Sequence, residues 1–132
     1  MKINVMVSWV LQVVVSLTFA QAVIRKVGGD EGTVHVFESL GMEPGGRILV
    51  AGLEFAALCL LLIPRTVSWG AILGWGLMTG GIIAHLTSLG IAGAMGPMMI
   101  MAAFNWVACI AIIIIRRNQV ELIRCMFAKD VE

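Results

Sequence analysis

The sequence predicts an all-α protein: a four-helix transmembrane bundle with a long extracytoplasmic first loop and a short amphipathic cytoplasmic tail. Three observations predict it. Of 132 residues, 60% are apolar and only 13% charged, where a soluble domain is nearer half and a quarter. The charges are clustered, leaving four long stretches almost empty of ionisable groups. Each stretch reaches or approaches the roughly 20 residues a helix needs to cross the hydrocarbon. Length allows one integral membrane domain, residues 1–132, and no internal repeat is visible.

The first span covers residues 3–24 and closes at Arg25-Lys26. The second, 48–63, is short, but its flanking Arg47 and Arg65 can snorkel to the interface. The third covers 67–89. The fourth covers 97–115, opening at Pro97, a residue favoured in a first turn, and closing at Arg116-Arg117. In the long first loop, Gly28-Gly29-Asp30-Glu31-Gly32 reads as a turn. Val34, Phe37 and Leu40 then recur at helical spacing and Gly41 is a natural stop, predicting a short helix on the outer face. Residues 90–96 are Gly-rich, apolar and chargeless, as for a loop that hugs the membrane. In the tail, 116–132, Val120, Ile123 and Phe127 form one stripe, extending the fourth helix into the cytoplasm.

Orientation follows from the loop charges. Lys2, Arg65, Arg116, Arg117, Arg124 and Lys129 fall on one side, Arg25, Lys26 and Arg47 on the other. The positive-inside bias puts both termini in the cytoplasm. A rival reading takes Lys2, the apolar run and Ala20-Gln21-Ala22 as a signal peptide, cleaved to leave three spans. The run is longer than the usual roughly 7–15 residues of a signal core, and it contains Gln12 and Ser16.

Net charge is +1, and no basic stripe offers a face to nucleic acid. Cys59, Cys109 and Cys125 lack C-x-x-C spacing, which argues against a disulfide framework or a metal site. They read as small buried hydrophobes plus one tail thiol. Gly70 and Gly74, then Gly76 and Gly80, stand four apart in the third span and let a neighbouring backbone approach, within the bundle or across a homodimer seam. Trp9, Trp69, Trp75 and Trp106 divide between interface anchors and packing.

Function is to be sought among the polar groups inside the bilayer. Glu54 is the one acidic residue within a span. Burying its charge costs about 2.5–3.5 kcal/mol on insertion scales, so it should face the bundle interior and have a partner. Helical rise places Glu54 roughly 10 Å below the outer face, His85 roughly 6 Å and Asn105 roughly 12 Å. Gln21 and Arg25 sit near the outer end of the first span, and Lys26 or Arg25 is the nearest cation for Glu54. These six residues predict a polar pocket opening outward, floored by apolar packing. Structural pinning competes with ligand handling for Glu54 and His85, and interhelical hydrogen bonding is the expectation for Asn105.

The ordered set Phe37…Leu40-Gly41-x-x-Pro44, Gly52-Leu53-Glu54-Phe55, Pro64-Arg65 and Met78…Ala84-His85-Leu86 resembles the DoxX-like family of small four-helix membrane proteins, over residues 10–90. The chain departs from the family at Lys26-Val27-Gly28, where a leucine-like residue usually follows the lysine. The resemblance implies a compact bundle with Lys26, Glu54 and His85 at recurring polar positions, and the expected setting is a bacterial cytoplasmic membrane. It does not imply one activity: relatives are associated with a thiosulfate–quinone oxidoreductase, membrane redox complexes and an animal receptor-assembly chaperone.

Three functions remain. The leading expectation is a non-catalytic accessory or assembly protein binding a lipid, a hydrophobic small molecule or a partner helix. The others are a subunit of a quinone-linked oxidoreductase and a transporter of a small polar solute. No haem-attachment motif, cysteine pair or facing histidines are visible, so the chain carries no cofactor site of its own, no catalytic residue is assigned, and redox work requires a borrowed cofactor or bound quinone. Transport favours broken helices or a repeat, and neither is visible.

Overall fold

A computed structural model describes residues 2–89 and 95–116. Five α-helices run through them: α1 (Lys2–Gly28), α2 (Glu31–Ser39), α3 (Gly45–Leu62), α4 (Val67–Ala84) and α5 (Met95–Ile115). A π-helical turn, His85–Leu89, continues α4. Four of the helices, α1, α3, α4 and α5, are long and apolar enough to cross a membrane. The chain is therefore a multi-pass membrane protein with an all-α bundle fold. Most of the loop at 90–96, the tail stripe and Cys125 lie outside the described residues.

Local sequence explains where the helices stop. Nothing in Arg25-Lys26 breaks a helix, so α1 runs past them and ends at Gly29, where φ is +72°. There Asp30 N–H reaches back to the Arg25 carbonyl at 3.0 Å, the left-handed closure that glycine permits. Asp30 then caps α2, accepting from the Thr33 amide and hydroxyl at 3.2 Å each. Gly41, with φ +70°, closes α2 the same way, Met42 N–H reaching the Phe37 carbonyl at 2.9 Å. At the end of α3, Pro64 lacks the N–H that would serve the Leu60 carbonyl, and the Thr66 hydroxyl donates to it instead, at 2.9 Å.

The spanning helices pack in a ring, α1 beside α3, α3 beside α4, α4 beside α5 and α5 beside α1, an up-and-down bundle. The core, formed by Val15, Phe19, Ala57, Leu61, Val67, Ala71, Cys109 and Ile112, sits toward the end that carries the α3–α4 turn. Ile3, Val10, Leu17, Leu49, Phe55, Ile100 and Val107 are exposed, an apolar exterior suited to lipid. Lipid tails are as apolar as the helices, so association rests on close packing and interhelical hydrogen bonds. Gly70 shows the packing: a Cβ there meets the Leu61 amide nitrogen at 2.7 Å. At Gly74 it meets the Phe19 ring at 3.0 Å and Cys109 Sγ at 3.1 Å. The close approach anticipated at Gly76 and Gly80 is not found among the described residues, where a Cβ at either meets nothing within 4 Å.

The turn end is tied by buried polar groups. Gln12, fully buried, donates through Nε2 to the Leu61 carbonyl at 2.8 Å, one of the acceptors that a helix C-terminus leaves unsatisfied. Ser8 donates to Gln12 Oε1 at 2.6 Å, and Arg116 donates to Ser8 Oγ at 2.9 Å. Ser68 closes the net on the Arg116 carbonyl at 2.6 Å. This net joins α1, α3, α4 and the end of α5.

Candidate functional site

The opposite end is built differently. α2 lies across it, touching α1, α3 and the π-helical turn. Beneath α2 is a cavity of about 740 Å³ lined from all five helices and the π-helical turn, within the roughly 300–1,000 Å³ typical of small-molecule sites. Its floor is Phe19, Leu77 and Met78, and Thr33, Val36 and Phe37 line it from α2, with Leu40 just beyond. Gly76, Gly80, Ile83 and Met101 line it too and are exposed, so the absent side chains of the two glycines leave open space beside it.

All six residues singled out from the sequence line this cavity, but they divide in two. Glu54, His85 and Asn105 are buried, at 3%, 6% and 2% exposure, and Lys26 is half-buried. Gln21 and Arg25 are exposed and sit at the edge. Depth along each helix was readable from rise. Which way each face turned was not.

Glu54 has found its cation. Lys26 Nζ donates to Oε1 at 3.0 Å and stands 3.0 Å from Oε2, although Oε2 receives no directed hydrogen bond. The helical extension of α1 past Arg25 carries Lys26 to this position. Arg47, paired with Glu43 at 2.8 Å, also donates to the Lys26 carbonyl, fastening the start of α3 to the end of α1. In a medium with little water, this pairing is what makes a buried carboxylate tolerable.

His85 opens the π-helical turn, a geometry that occurs mostly as single turns and often at functional sites. Its Nδ1 lies 2.8 Å from the Gly81 carbonyl. A carbonyl only accepts, so Nδ1 carries a hydrogen, which in a neutral ring leaves Nε2 as an acceptor. Nε2 is buried without a partner. Glu54 and His85 do not hydrogen-bond to each other among the described residues. Each residue instead has its own anchor.

Asn105 meets Thr18, whose hydroxyl lies 2.9 Å from Oδ1 and 2.7 Å from the Val15 carbonyl. One hydroxyl hydrogen cannot serve both acceptors. Turning the amide by 180° resolves this, with Nδ2 donating to Thr18. Sequence reasoning missed Thr18, Thr33 and the cavity-lining face of α2. The period of Val34, Phe37 and Leu40 signalled that helix, but the buried residues are Thr33 and Phe37. No group of three or more His, Cys, Asp or Glu side chains suited to a metal ion occurs among the described residues.

No family model, curated protein or solved structure matches this chain. The chemistry is therefore read from the cavity alone: it offers apolar volume, one neutralised carboxylate and acceptors in a place that water does not wash freely.

Proposed function

We propose that the chain is a non-catalytic membrane accessory or assembly protein whose α2-covered cavity binds a lipid or hydrophobic small molecule by its polar head. The observation that carries this is the placement of a buried Lys26–Glu54 pair and a buried, half-satisfied His85 on one largely apolar cavity. A mere structural pin needs its polar groups saturated and its volume filled, and neither holds here. The cavity also favours a small molecule over a partner helix, because a helix is about 10 Å across and would displace α2. The DoxX-like resemblance agrees, since the three residues it singles out share the cavity. The positive-inside bias of the loop charges supports an outward-facing cavity with both termini in the cytoplasm, and the resemblance supports a bacterial cytoplasmic membrane as its setting.

The test is to transfer the protein from its membrane into nanodiscs, extract it, and identify bound molecules by mass spectrometry. The wild-type chain should retain one hydrophobic species in near-stoichiometric amount, and the paired variant Lys26→Met with Glu54→Gln should lose it. If the retained species is a quinone that an electron donor reduces on the protein, the quinone-linked subunit replaces the accessory role. Binding itself is refuted by a wild-type chain that carries nothing and whose melting temperature no membrane extract shifts.

A further inference from the structure

We infer that the cavity selects a neutral apolar molecule carrying a hydroxyl, an alcohol or phenol, because the buried polar atom left without a partner on its lining residues, His85 Nε2, is a hydrogen-bond acceptor in the neutral imidazole. The inference rests on the binding function proposed above and deepens it.

Buried polar atoms in folded proteins are nearly always hydrogen-bonded, and those that are not call for an explanation. Here His85 Nε2 is such an atom, on a cavity-lining residue more than nine-tenths buried, whereas Glu54 Oε2 lies 3.0 Å from the Lys26 ammonium. With Nδ1 donating to the Gly81 carbonyl, the other nitrogen of the neutral ring accepts. The missing partner is therefore a donor.

Charge narrows the choice. Lys26 already neutralises Glu54 at 3.0 Å, and Arg25 adds a second cation at the edge. An ammonium head would bring a further positive charge into a site with no free anion among the described residues. An anionic head would face the His85 Nε2 lone pair at depth. A neutral hydroxyl meets both demands, donating to His85 Nε2 without adding charge. The apolar floor of Phe19, Leu77 and Met78 takes the rest of the molecule.

The experiment uses the full chain in phosphatidylcholine nanodiscs with three matched probes: para-dodecylphenol, its methyl ether and para-dodecylbenzoate. Affinity is read from the melting-temperature shift against probe mole fraction in the lipid, which removes differences in partitioning. The phenol should bind about ten-fold or more tightly than the ether, as expected when a buried acceptor loses its donor. His85→Phe should narrow that ratio. Equal binding of phenol and ether overturns the hydroxyl rule but leaves the binding function standing. A tighter benzoate overturns it in favour of anion recognition by Arg25 and Lys26. Failure of all three probes to bind counts against the binding function as well. The wild-type series decides the matter even if the variant does not fold.

Discussion

The two ends of the bundle bury the same kinds of side chain and use them in opposite ways. At the turn end, Ser8, Gln12, Ser68 and Arg116 satisfy one another and two helix-terminal carbonyls. At the α2 end, Glu54 rests on Lys26 alone among the described residues, and His85 keeps one partner and leaves Nε2 open. Between them, the Ser16 hydroxyl is also buried and unpartnered, but it is not on the cavity. Residue type alone does not separate a structural polar group from a ligand-handling one. Counting the hydrogen bonds that each group has left to make does.

That contrast can be broken in graded ways. The largest effect is expected for Lys26→Met, which strands the Glu54 carboxylate in the bundle. Stability should fall by about 3 kcal/mol or more, and adding Glu54→Gln should restore most of it. Chemical or SDS titration in detergent measures both, and a double variant as weak as the single one would show that the pair's charge is not the issue. Next comes Gly70→Val, whose new side chain strikes the α3 backbone. About 2–3 kcal/mol should be lost by the same titration, while Gly80→Ala, with open space around it, should change stability little.

Arg116→Met should cost about 1.5–3 kcal/mol, the usual loss for hydrogen bonds made by a charged group. It should leave ligand retention under α2 intact, and a loss of ligand would mean that the two ends are coupled. Smallest is Asn105→Leu, at about 0.6 kcal/mol, the average for interhelical hydrogen bonds within membranes. If melting shows a loss several times larger, Asn105 does more than join Thr18.

Much of the fold was legible because the bilayer writes it plainly. Charges confined to the ends of apolar runs marked the four spans, and Gly41 with Phe37 marked α2. The finer features depend on contacts between residues far apart in the chain. Arg116 reads as a charge marking the edge of the membrane, yet it folds inward to Ser8, 108 positions away. The glycine pairs look alike in sequence, but only Gly70 and Gly74 face a neighbouring helix closely. Gln21 and Arg25 shared the depth of the site without sharing its burial, because rise fixes height and leaves azimuth open. The π-helical turn at His85 has no composition signal at all.

Unequal helix lengths have a consequence for the surrounding lipid. At about 1.5 Å per residue, the 18-residue α3 covers about 27 Å, and the 27-residue α1 covers about 40 Å. A typical hydrocarbon slab is about 30 Å thick. So unequal a reach is met by tilt or protrusion of α1 and, beside α3, by flanking side chains extending to the interface or by local thinning of the lipid.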